Sequence, residues 1–141
     1  MAKHTDPKKP TEGELAILSV IWDRGPSTVR EVFERLAAAS TGKEVGYTTV
    51  LKLMQIMVDK GLLERDTSVR PQVFRPAKPR KQTQKQLLGD LLDKAFGGSP
   101  GNLVLQALAT KKATPDELRR IREMLDRLDD PAADSGDEGD H

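Results

Sequence analysis

Apolar residues recur at helical spacing in three successive runs along the first half of the chain, and start and stop residues bracket each run. In the first run, Leu15, Leu18, Ile21 and Trp22 follow Thr11-Glu12-Gly13-Glu14. Thr as N-cap with Glu three residues on forms a capping box that satisfies the orphan amides of a helix start. The Gly25-Pro26 pair stops this helix. In the second run, Val29, Val32, Phe33 and Leu36 stand at i, i+3, i+4 and i+7 behind Ser27 or Thr28 as cap. It fades in Ala37-Ala38-Ala39-Ser40, and Thr41-Gly42-Lys43-Glu44 reads as a loop. The third run, Tyr47 to Lys60, is the stretch around which the chain is organised. Val50, Leu53, Met54, Met57 and Val58 form its apolar face. Thr48, Lys52 and Gln55 lie opposite, with Asp59 towards the C-terminal end and Leu51, Thr49 and Ile56 on the flanks. Lys60-Gly61 supplies the cation and the glycine that suit a helix C-terminus.

Beyond Gly61 the period changes. Leu62 to Asp66 and Gln72 to Pro76 are short strand-like runs around the polar turn Thr67-Ser68-Val69-Arg70-Pro71, and Pro71 and Pro76 bound the second strand. Three helices followed by a hairpin predict a mainly α winged helix-turn-helix over residues 11–77. Residues 78–82, Lys-Pro-Arg-Lys-Gln, read as a basic hinge. From Thr83 a helix carries Leu87, Leu88, Leu91, Leu92, Ala95 and Phe96, and Gly97-Gly98-Ser99-Pro100-Gly101 ends it. A short apolar helix from Leu103 to Leu108 includes Leu105, and Thr114-Pro115-Asp116-Glu117 opens a last helix. There Leu118, Ile121, Leu125 and Leu128 are spaced by 3, 4 and 3, a heptad-like seam. Helices so short and so rich in leucine cannot bury their apolar faces alone. The second region, 78–130, could pack back on the first domain or pair with another copy; the continuous seam and the intervening hinge favour pairing, through Leu87, Leu91, Leu92, Leu105, Leu108, Leu118, Ile121, Leu125 and Leu128. Residues 1–10 read as a disordered basic arm and 131–141 as a disordered acidic tail.

Composition narrows the chemistry. Aromatic residues are 4% of the 141-residue chain, so the core is aliphatic. There is no cysteine, which removes disulfides, thiolate nucleophiles and cysteine-based metal sites. The opening MAKHTDPKKP has no apolar stretch of a secretory signal, and no run reaches the 18 or so residues of a membrane span, so a cytoplasmic protein without membrane contact is expected. Both histidines, His4 and His141, sit at the chain ends, and no Gly-rich phosphate loop or Gly-x-Ser-x-Gly elbow is present. Neither an enzyme nor a cofactor or metal is expected. The net charge of +1 hides an asymmetry: residues 1–82 hold 15 Lys+Arg against 10 Asp+Glu, whereas the last 11 residues hold 4 acids and no base. The positive excess lies with the third helix, as a nucleic-acid footprint should.

On this reading the third helix enters the major groove of double-stranded DNA. Thr48, Thr49 and Lys52 then reach base edges or phosphates, and Gln55 follows behind them. Ser27, Thr28 and Arg30 at the start of the second helix hold the backbone. Arg70, Gln72 and Arg75 on the wing touch phosphates or a minor groove. Two such helices on a dimer would read a palindrome with half-sites about 34 Å apart. Two other readings fit the same pattern: a winged helix that binds only proteins, and a regulator that responds to a small molecule.

The order of the E-x-E-L-x-I-L-x-V-I-W helix (Glu12–Trp22), S-T-V-R-E-V (Ser27–Val32), Y-T-T-V (Tyr47–Val50) and K-G-L-L-E-R (Lys60–Arg65) resembles the penicillinase-repressor family of BlaI/MecI/CopY-type bacterial transcriptional repressors. The resemblance spans about residues 11 to 129. It implies dimerisation through the C-terminal helices and a recognition helix that includes Thr48, Thr49, Leu51 and Lys52. Leu51 departs from the basic residue that some members carry there. The copper-responsive branch uses C-terminal cysteine pairs, which this chain lacks. The β-lactam branch is released by a regulatory protease. The matching stretch here is Gly98–Leu103, without the Asn-Phe pair associated with that cleavage.

Overall fold

A computed structural model describes residues 9–39 and 45–130. The element order is α1 (Glu12–Arg24), α2 (Val29–Ala38), α3 (Tyr47–Lys60), β1 (Leu63–Asp66), β2 (Val73–Pro76), α4 (Arg80–Ala95), α5 (Pro100–Thr110) and α6 (Pro115–Asp129). This is a winged helix-turn-helix followed by a helical region. The expected loop at 41–44, the first eight residues of the arm and the acidic tail lie outside the described residues. The chain divides into two compact units, which part between Asp90 and Leu91.

The core of the first unit is aliphatic. Ile17, Leu18, Val20 and Ile21 of α1, Val29 and Val32 of α2, and Val50, Met54 and Met57 of α3 close on Leu62, Leu63 and Phe74. The half-buried Leu53 and Val58 pack against this cluster, so the apolar face expected of α3 is the face it buries. At the end of α3, Gly61 adopts φ 82° and ψ 17°, the left-handed region in which a side chain is strained. The chain reverses there, and the Leu62 amide donates to the Met57 carbonyl at 2.8 Å. Leu62 and Leu63 then drop into the core.

The capping box at Thr11 forms as expected: the Glu14 amide donates to Thr11 Oγ1, and the Thr11 amide donates to Glu14 Oε1 at 3.0 Å. The same Glu14 Oε1 lies 2.7 Å from Lys60 Nζ, with the Glu14 side chain 2% exposed and that of Lys60 21% exposed. A buried carboxylate thus joins the first turn of α1 to the last turn of α3.

β1 and β2 pair antiparallel in the register Leu63↔Pro76, Glu64↔Arg75, Arg65↔Phe74 and Asp66↔Val73. On its other side β2 is held by Ser27: the Ser27 amide donates to the Phe74 carbonyl at 2.9 Å, and the Phe74 amide donates to the Ser27 carbonyl at 2.8 Å. Both polar backbone groups of Phe74 therefore point to Ser27, and Arg65↔Phe74 is a non-hydrogen-bonded pair whose side chains stand close together.

Two boundaries differ from the sequence expectation. The expected hinge at 78–82 is already helix from Arg80, and the Pro79 carbonyl accepts from the amides of Gln82 and Thr83. The Arg80 guanidinium lies 5.5 Å from the centre of the Trp22 ring and 3.7 Å from Asp23 Oδ1, and Thr83 is buried. Polar composition suggested a linker, but long basic side chains lay their stems on apolar surface. Lys9 Nζ pairs with Asp90 Oδ2 at 2.7 Å and Pro10 is buried, so the last two residues of the expected arm are also part of this unit. The second difference is α5. Ser99 caps it by accepting from the Asn102 amide at 3.1 Å, and Pro100 occupies the first turn, where its missing N–H costs nothing. Most of the Gly98–Leu103 stretch is accordingly helical.

Between residues 91 and 130 no described residue is buried. Val104, Leu105 and Leu108 of α5 and Met124, Leu125 and Leu128 of α6 are exposed, Leu105 by 70%. Among the described residues no helix is long and apolar enough to cross a membrane.

Removing the cation from the α1–α3 tie leaves a buried carboxylate. Lys60→Ala is expected to lower stability by about 2–3 kcal/mol, less than a fully buried pair because Lys60 keeps some solvent. Urea unfolding measures it, and a loss under about 0.5 kcal/mol would show that the pair contributes little.

Candidate nucleic-acid interface

With Val50, Met54 and Met57 in the core, the opposite side of α3 is fixed towards solvent. Thr48, Lys52 and Gln55 are exposed along it, as are Thr49 and Ile56 on one flank. On the other flank Tyr47, Leu51 and Gln55 form a ridge that borders a groove of about 360 Å³. Thr28, Val29 and Arg30 of the α2 start close one end of this groove, and Arg65, Pro71, Gln72 and Phe74 of the hairpin form its far wall. Thr28, Arg30, Gln55 and Gln72, expected at the interface, are therefore brought together. Thr48, Thr49 and Lys52 are exposed on the same helix, outside the groove lining.

Local chemistry sets each of these positions. Thr28 caps α2: its Oγ1 accepts from the Glu31 amide at 3.1 Å, and its own amide donates to Glu31 Oε1 at 2.9 Å. The hydroxyl is therefore engaged, and Arg30, the second residue of the helix, is the exposed cation of this helix start. The Arg30 guanidinium lies over the Tyr47 ring, 4.9 Å from its centre. Tyr47 meets Phe33 edge-on at 5.8 Å and 78°. Gly46, the N-cap of α3, has no side chain to occupy the first-turn amides.

Two expected contacts are corrected. Ser27 is fully buried: its hydroxyl donates to the Gly25 carbonyl at 2.7 Å and accepts from Arg24 Nη1 at 3.2 Å. It fastens the α1–α2 turn to β2 and offers nothing to a phosphate. Arg75 lies on the outer face of the hairpin with its cross-strand partner Glu64, whose Oε1 is 3.5 Å from Arg75 Nε. Asp66 shares that face. The Ser68 hydroxyl, then the Ser68 amide at 2.9 Å, hold its carboxyl below the ordinary carboxylate range, and Arg75 adds to the effect. Arg75 faces two carboxylates and lies outside the groove lining. Arg70 is exposed in the turn, ahead of a cis peptide bond to Pro71.

Two groove residues with polar side chains, Arg65 and Tyr47, were absent from the expected set. Arg65 follows from register: Phe74 is the one large apolar residue of β2, so its cross-strand partner shares its face. Tyr47 was read only as the first residue of α3, although an aromatic one turn ahead of Leu51 signals a flanking ridge. In the second unit Val104 and Met124 are exposed as well, as is Leu88 on α4. Of the residues expected at a dimer interface, Leu91, Leu105, Leu108, Leu125 and Leu128 are exposed, whereas Leu87, Leu92, Leu118 and Ile121 are half-buried.

A family model described as penicillinase repressor matches residues 10–127. The chain is also similar to two curated relatives, each a Transcriptional regulator BlaI of Mycobacterium tuberculosis, from strains CDC 1551 / Oshkosh and ATCC 25618 / H37Rv. Each is 27% identical over 117 residues, covering 82% of this chain and 82% of the relative. The match runs through the winged unit and on to α6, and so includes the reader helix, the hairpin and the exposed leucine faces. The chain belongs to the penicillinase repressor family of transcriptional regulators.

Proposed function

We propose that this chain represses transcription by binding a palindromic DNA operator as a homodimer, with α3 in the major groove. The observation that carries the reading is the exposed Thr48–Lys52–Gln55 face of α3, set beside a groove whose lining holds two arginines and no carboxylate. Hydroxyls, an ammonium and an amide suit base edges, and α3 is rigid because its other side is core. The family membership and the name of the relatives support transcriptional regulation as the outcome.

Dimerisation rests on the second unit. Burying each exposed Val, Leu or Met side chain contributes roughly 1.5–3 kcal/mol. Six such side chains on α5 and α6 of each protomer, each about half exposed, supply apolar burial of the same order as an association cost of roughly 4–15 kcal/mol. Relief by proteolysis would act at Gly98-Ser99, the part of the Gly98–Leu103 stretch outside helix. A cut there severs α5 and α6 from the reader and so separates the two half-site contacts.

Affinity for duplex DNA measured against salt concentration tests DNA binding. Four cations at or beside the interface, Arg30, Lys52, Arg65 and Arg70, make no ion pair among the described residues. A dimer using all of them should give a log–log slope as steep as about −7. Absence of binding even at low salt would refute the reading. For the dimer, Leu125→Asp places a charge on the exposed α6 face. It is expected to leave a monomer at micromolar concentration by sedimentation, and an unchanged dimer mass would refute this interface.

A further inference from the structure

We propose that the groove between α3 and the hairpin is the seat of one DNA strand's sugar–phosphate backbone, with Arg65 of the wing and Arg30 of α2 as its phosphate ligands. The inference rests on the DNA-binding reading and deepens it. It assigns Arg65, rather than Arg75, as the strand cation of the wing, and Tyr47 as the residue that positions Arg30.

The register carries the first half. Phe74 faces the core, and both of its backbone groups bond to Ser27, so Arg65 stands beside it on the inner side of the hairpin. Arg75, one residue on, stands on the outer side with Glu64. Two arginines of one hairpin thus have opposite fates. One faces Glu64 on the exposed outer side, and the other makes no ion pair among the described residues and lines the groove.

The stack on Tyr47 carries the second half. A guanidinium held over an aromatic face by its charge keeps that charge and its N–H donors for an anion. Phe33 holds the Tyr47 ring in turn. Arg30 is thereby held at the groove end, and less side-chain entropy is lost when it meets an anion.

The lining identifies the occupant. Val29, Leu51 and Phe74 give the same groove an apolar lining beside the two arginines. Deoxyribose faces alternating with phosphates match apolar surface flanked by cations, whereas base edges do not need two arginines. Leu51 also gains a reason: at a position where related repressors can carry a base, this chain has a sugar-contacting floor and takes its cation from the opposite wall.

The full-length protein is titrated, at several salt concentrations, against a duplex that it selects from a random pool and an unrelated duplex of equal length. Arg65→Gln is expected to weaken both about 5- to 20-fold and to reduce the salt slope by about one per protomer, the signature of a lost phosphate contact. Arg75→Gln should leave both quantities unchanged. Tyr47→Leu should weaken binding as Arg30→Gln does, while Tyr47→Phe, which keeps the aromatic face, restores it. An unchanged slope in Arg65→Gln overturns the proposal, as does weakening confined to the selected duplex, which marks a base contact. Displacement of DNA by millimolar inorganic phosphate at constant ionic strength overturns it too, because the groove is then a small-anion site. Failure of the wild-type protein to bind any duplex refutes DNA binding itself, a result distinct from an altered slope in one variant.

Discussion

The rotation of α3 about its own axis is the constraint on which the rest of the winged unit depends. Val50, Met54 and Met57 are fully buried, and helical geometry leaves Thr48, Lys52 and Gln55 on the far side. Turning the helix by one residue, about 100°, would carry Lys52 towards the core, at the cost of burying a charge. The setting is secured at its end as well. Lys60 pairs with the buried Glu14 of α1, and Gly61 turns the chain so that Leu62 and Leu63 enter the same core. One carboxylate serves both as half of a capping box and as anchor of the reader helix, so the order at the α1 start and the aim of α3 are a single physical fact.

The hairpin is placed by an equally economical device. Phe74 spends its backbone bonds on Ser27 and its ring on the core, which ties β2 to the turn before α2. The α2 start, the α3 ridge and the wing therefore converge on one groove. Charges are sorted about that arrangement. Arg24, Lys60, Arg75 and Arg80 pair with carboxylates, while Arg30 and Arg65, which line the groove, make no ion pair among the described residues. The modest positive excess of the first 82 residues understates the local charge at the groove, because no acid lines it.

Much of this was legible in the sequence because helical period and capping are local. The Tyr47–Lys60 bounds of α3, the Thr11–Glu14 capping box, the Gly61 stop and the hairpin are all found where spacing placed them. What escaped was non-local. Ser27 and Thr28 look alike as caps, and only the pairing with Phe74 makes one a fastener and the other the cap. Arg65 and Arg75 look alike as wing cations until the strand register assigns their faces. The basic run at 78–82 looks like a hinge until Trp22 and Asp23 are brought against Arg80. Pro100 and Gly101 read as breakers, although a proline after a serine cap starts a helix.

The central claim is that the exposed face of α3 reads bases. It is tested most directly by measuring affinity for every single-base variant of the selected duplex, with wild-type protein and with Thr48→Ala and Lys52→Ala. The expected result is that each substitution relaxes preference at one or two base pairs in each half-site, by about 1–3 kcal/mol, and leaves the others as they were. Preferences that stay the same at every position in both variants would contradict it.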